Sequence, residues 1–125
     1  MTVALDRIGQ IAIRAHDVDR ATAFYRDTLG MTFLFAFPGI AFFQCGEVRL
    51  MLSRPEQAEL DHPGSILYYT VDDIEAAHAE LTGKGVAFME PPKVVHRGES
   101  YDLWLASFHD SEANVACLMH EKYRE

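Results

Sequence analysis

Apolar and polar positions follow one pattern twice along this chain. Ile8, Ile11 and Ile13 open the first copy, with Gln10 and Ala12 between them. The acidic Asp17 comes next, then Val18, Ala21, Tyr25 and Leu29 at helical spacing, and Gly30 and Met31 close the copy. From Ile66 to Val86 the order returns: an apolar run, Asp73, then Ile74, Ala77 and Leu81, then Gly85 and Val86. Asp17-Val18-Asp19-Arg20-Ala21 lies over Asp73-Ile74-Glu75-Ala76-Ala77. Alternation predicts a strand, and the stripe that follows predicts an amphipathic helix. A short carboxylate can cap the free N–H groups of the first turn, and glycine takes the left-handed backbone that ends a helix. The chain therefore reads as a tandem duplication of a strand–helix unit.

Three further strands complete each copy. Met31 to Phe37, Ile40 to Cys45 and Val48 to Leu52 are separated by turns at Pro38-Gly39 and Gly46-Glu47. Ser53 to Ser65, polar and carrying two prolines, reads as a linker. In the second copy Val86 to Met89 begins a strand that Pro91-Pro92 ends, which leaves His96 in a loop. Tyr101 to Phe108 and Val115 to Met119 are the last strands, joined by the turn Asp110 to Asn114, with a charged, solvated tail from His120. The expected fold is α+β: two tandem βαβββ modules in a single domain, residues 1–125. Module one spans about 6–53, the linker about 54–64 and module two about 65–120. Their curved mixed sheets would surround a cup, with the helices on the convex faces. Ile11 and Ile13 share the helix side, so Gln10 looks into the cup.

Composition narrows the partners. Of 125 residues, 49% are hydrophobic and 24% charged, ordinary for a globular domain. The net charge of −8, with no basic run, argues against nucleic acid. No apolar run approaches a bilayer span and MTVALDRIGQ lacks the pattern of a leader, so no membrane is expected. Cys45 and Cys117 are too few for a disulfide framework, which predicts a cytoplasmic protein with reduced thiols.

The chain resembles the vicinal oxygen chelate superfamily of glyoxalases, extradiol dioxygenases, and fosfomycin and bleomycin resistance proteins. The resemblance is carried by Asp17 to Ala21, Phe24-Tyr25, Leu29-Gly30, Val71 to Ile74, Gly85-Val86 and Asp110 to Asn114, and it runs from Ile8 to His120. It implies a divalent metal held by His, Glu or Gln from the first and last strands of each module. Carried over residue by residue, those positions fall on Gln10, Met51, Ile66 and Cys117. Gln10 alone is a residue the family uses as a ligand. One amide, one thioether, one aliphatic side chain and one thiol do not satisfy an oxygen-seeking cation, so no metal and no other cofactor is expected.

An apolar inward face remains: Ile8, Ala12, Met51, Ile66, Cys117 and Met119, with Tyr68 and Thr70. It suits a small, largely apolar or aromatic organic molecule, as the resemblance to bleomycin resistance proteins also implies. The candidate ligand-binding residues are Gln10, Met51, Ile66, Tyr68, Trp104 and Cys117, although the parity of the strand bearing Trp104 leaves its facing open. Tyr68 and His96 are the candidate catalytic residues, should there be acid–base chemistry. The alternative is a metal-dependent lyase, isomerase or dioxygenase, with His96, His120, Glu99 or a second chain supplying ligands. Glu47 and Arg49 are read as a pair across a turn, and His16, His62, His78 and His109 as surface groups. The resemblance implies a homodimer.

Overall fold

The structure, a computed structural model, describes residues 3–125. Met1 and Thr2, part of the stretch read for a leader, lie outside the described residues. The chain divides into two compact units, Met1–Gly64 and Ser65–Glu125.

In the first unit β1 (Gln10–Arg14) leads to α1 (Val18–Ala23), which continues as a π-helical turn over Phe24–Thr28. Asp17 caps α1, its carboxylate accepting from the Arg20 N–H at 3.0 Å. Gly30 follows at φ 72° and turns the chain back. Three strands come next: β2 (Thr32–Phe37), β3 (Ile40–Cys45) and β4 (Val48–Ser53). They form a mixed sheet in the order β1-β4-β3-β2, in which β1 runs parallel to β4. The helix covers one face. There Val18, Ala21 and Tyr25 are buried with Ile13, Ala41, Phe43, Leu50 and Leu52, and the Tyr25 and Phe43 rings lie 6.0 Å apart.

The second unit repeats the plan with β5 (Leu67–Thr70), α2 (Ile74–Gly83), β6 (Ala87–Phe88), β7 (Lys93–Arg97), β8 (Tyr101–His109) and β9 (Val115–Tyr123). Asp73 caps α2 by accepting from Ala76 N–H at 3.1 Å. The sheet order is β5-β9-β8-β6, and β7 also pairs with β8. The edge position held by β2 in the first unit is thus divided between β6 and β7 by Pro91-Pro92, which donate no ladder hydrogen bonds. Both units are βαβββ in plan, each an open mixed sheet with a helix on one face.

Two expectations need correcting. His96 lies within β7, not in a loop, since the chain resumes pairing with β8 directly after the prolines. The tail is not simply solvated: β9 runs on to Tyr123, which pairs with Tyr101 at a ring separation of 5.0 Å, and Arg124 bonds Asp102 and the carbonyls of Gly98 and Glu99.

Candidate functional site

Residues facing each other across a sheet share a face, so strand register identifies the side without a helix. In the first unit that side carries three rows. Gln10, Arg49, Gln44 and Thr32 form one; Ala12, Met51, Phe42 and Phe35 the next; Arg14, Ser53, Ile40 and Phe37 the third. A bulge between Phe33 and Phe35 builds the aromatic end of this face. One extra residue reverses the alternation, sending Phe33 to the helix side against Phe43 at 5.6 Å and Phe35 to the open side against Phe42 at 4.8 Å.

At the polar end the side chains touch. Arg49 Nε donates to Gln10 Oε1 at 2.9 Å, and the guanidinium lies over the Phe42 ring, 5.4 Å from its centroid. Gln10 Nε2 lies 3.7 Å from Met51 Sδ, a weak donor contact to sulfur. Gln10 and Met51, two of the residues expected at the site, are therefore brought together. Arg49, expected to pair with Glu47, turns instead to Gln10 and Phe42 and so joins the site. The signal was present, because Arg49 stands two positions before Met51 on one strand and must share its face.

Beside this group lies a cleft of about 250 Å³ floored by Ala12, Met51 and Ser53. Pro55, Leu60 and His62, from the segment after β4, form its wall. Asp61 pins that segment to β1, accepting from Arg14 at 3.3 Å and contacting His16 Nε2 at 2.8 Å. The His16 hydrogen bond first, with the charges of His16 and Arg14, holds the Asp61 carboxyl below the usual carboxylate range. His16 is exposed, as expected, and also helps to fasten the cleft wall.

In the second unit Tyr68 stands opposite Cys117, and Cys117 opposite Ser107, on the side away from α2. Cys117 is only 1% exposed. Its Sγ donates to the Leu118 carbonyl at 3.3 Å and receives a weak contact from Ser107 Oγ at 3.7 Å. Ile66 precedes β5 and is half exposed, as is Tyr68. Trp104 faces the other way. It shares a side with His120, Ala106 and Leu118, and with His120 and Lys122 it lines a cleft of about 330 Å³ at the start of α2. Trp104 thus stands apart from Tyr68 and Cys117, the companions expected for it.

Tyr68 and His96 are not brought together. His96 is opposite Leu103, three strands from β5 and four residues along β8 from Ser107. Standard spacings put them about 14 Å apart across the sheet and about 13 Å along it. No direct proton transfer spans that gap.

The four positions carried over from the family's metal site do not suit a divalent cation. The one hard donor among them, Gln10 Oε1, already accepts from a guanidinium, so a metal there would meet a fixed positive charge. Met51 offers a soft thioether, Ile66 no donor, and the Cys117 thiol is buried and hydrogen-bonded. Among the described residues no group of three His, Cys, Asp or Glu side chains converges as metal ligands would.

Comparison with known proteins agrees with the architecture. The family model for the Glyoxalase/Bleomycin resistance protein/Dioxygenase superfamily matches residues 7–118. Among solved structures, the chain is similar to a superfamily member from Sphaerobacter thermophilus, at 24% identity and TM-score 0.78, covering 94% of this chain and 98% of that one. It is similar to TnmS3, an antibiotic binding protein from Streptomyces sp. CB03234, at 24% identity and TM-score 0.76, over 97% and 100% of the two chains. It is also similar to a lactoylglutathione lyase from Agrobacterium tumefaciens, at 22% identity and TM-score 0.70, over 91% and 92%. At these identities the likeness is one of fold. A search of curated proteins finds no match to the sequence.

Proposed function

The chain belongs to the Glyoxalase/Bleomycin resistance protein/Dioxygenase superfamily, and from that premise we propose that it binds a small, largely apolar or aromatic organic molecule on the helix-free face of its sheet, without the superfamily's metal. The observation that carries this reading is the contact of Arg49 with Gln10 beside Met51, Phe42 and Phe35. It turns a position the family uses for metal binding into a polar edge on an aromatic floor. Such a surface can hold a flat ligand by apolar contact and orient it by a few polar groups. TnmS3, described as an antibiotic binding protein, gives a precedent for binding on this fold. No helix among the described residues is long and apolar enough to cross a membrane, and the reading places the protein in the cytoplasm. A homodimer is part of it: β2 exposes Phe33, Leu34, Phe35 and Phe37 at a sheet edge, which a second chain would cover.

The test is a thermal-shift screen of aromatic and aliphatic compounds in EDTA, repeated with Mn²⁺, Ni²⁺ and Zn²⁺, followed by calorimetry on the hits. Aromatic compounds should raise the melting temperature equally in EDTA and in metal. Binding or turnover that appears only with metal would overturn the proposal in favour of a metal-dependent enzyme.

A further inference from the structure

The helix-free face of the first unit carries two cations with different surroundings. Arg14 is paired with Asp61 at 3.3 Å. Arg49 gives its Nε to the neutral oxygen of Gln10 and rests over Phe42, and among the described residues no carboxylate pairs with it. Its three rows of neighbours contain no acidic side chain.

We infer that Arg49 is the anion anchor of this face and that the ligand is a planar aromatic carboxylate. The inference rests on the binding function proposed above and names the chemical class of its ligand. Gln10 and Phe42 fix the guanidinium in position, so little side-chain freedom is lost when an anion docks. The two terminal nitrogens of a guanidinium match the two oxygens of a carboxylate in one plane. Arg49 and Met51 are two residues apart on β4, about 7 Å, close to the length of one ring bearing a carboxylate. A ring whose acid group meets Arg49 thus reaches the Met51 sulfur at the floor of the cleft of about 250 Å³, a volume suited to a single-ring compound. A single anchoring guanidinium, in a chain whose net charge is −8, also favours a monoanion over a phosphate dianion.

The test compares acids with neutral amides of the same shape: benzoate against benzamide and 2-naphthoate against 2-naphthamide, titrated calorimetrically into the full-length protein. The acids should bind about tenfold more tightly than the amides, as expected of a charge-assisted hydrogen bond. Arg49→Gln should erase that preference, bringing the affinity of each acid to that of its own amide in the same variant. Arg49→Lys, which keeps the charge but loses the planar fork, should retain part of it. Equal affinity of acid and amide in the unaltered protein, or a preference that survives Arg49→Gln, would overturn the inference and leave the binding function standing. No binding of either acid or amide at millimolar concentration would overturn both.

Discussion

Asp110 closes the turn between β8 and β9, and its removal should be costly. The residue is 7% exposed. Its Oδ1 accepts from the N–H groups of Glu112 and Asn114, both at 2.8 Å, and its Oδ2 accepts from Asn114 Nδ2 at 3.0 Å. The carboxylate thus holds together a five-residue loop in which Ala113 takes φ 63°, a conformation that disfavours any side chain with a Cβ. Asp110→Ala strands two main-chain donors in a partly buried loop, at about 1–3 kcal/mol each. Water reaches part of the loop, so the expected loss is about 2–4 kcal/mol. A chain of this length has a stability of roughly 6–19 kcal/mol, so the variant should still fold.

Urea unfolding followed by far-UV circular dichroism and Trp104 fluorescence measures this loss as a lower midpoint at unchanged slope. Asp110→Asn separates the contributions. It keeps an oxygen for both main-chain donors but sets an NH₂ group against Asn114 Nδ2, so it should cost about 1–2 kcal/mol. A loss below about 0.5 kcal/mol in Asp110→Ala would refute the reasoning, because it would mean that water satisfies the loop as well as the carboxylate does.

Two further predictions concern the candidate site. Asp61 is held ionised below the usual carboxylate range, so its contribution to stability is present above about pH 3.9 and is lost as pH falls through its lower folded value. The gap in urea midpoint between the unaltered protein and Asp61→Asn should therefore be open at pH 6, close in strong acid, and shrink in high salt because the pair is exposed. Gln10→Glu should place a carboxylate on the Arg49 guanidinium and neutralise it. Calorimetry should then show benzoate affinity falling about tenfold or more, with stability changed by less than about 1 kcal/mol. Unaltered benzoate affinity in that variant would count against Arg49 as the anchor.

Much of the fold was legible because its signals are local. The caps Asp17 and Asp73 and the facing of Gln10 and Met51 follow from period and cap chemistry alone. What escaped depends on register. The bulges after Phe33 and Val94 each reverse a strand's alternation, and no residue type in FLF or VVH announces them. Trp104 was therefore unplaceable until pairing set it opposite His120 and Val94. His96 was misread for a related reason: two prolines interrupt an edge strand without ending it, since an edge can spare the hydrogen bonds they remove. The extension of β9 to Tyr123 depends on the strand it meets, because Tyr101 and Asp102 give the charged tail something to pair with.

Arg49 is the residue on which the proposed binding function turns. Superfamily membership alone leaves binding and catalysis equally open, since one scaffold serves both. A divalent metal polarises the oxygens bound to it and shifts the acidity of bound groups, which is what drives chemistry. A guanidinium supplies a single charge spread over a plane and does not give up its proton in the physiological range. It recognises an oxyanion without activating a nucleophile. The three rows of the helix-free face contain no histidine or carboxylate to move a proton beside it. On the binding function proposed above, this face offers charge, an aromatic floor and a thioether to hold a ligand, and the titratable groups nearest it, Glu56 and His62, stand outside those rows on the cleft wall. On this basis the acid–amide comparison with Arg49→Gln should separate affinities while no new product accumulates. Slow conversion of benzoate or 2-naphthoate during the titration would show that a proton-transferring group reaches this face from outside those rows.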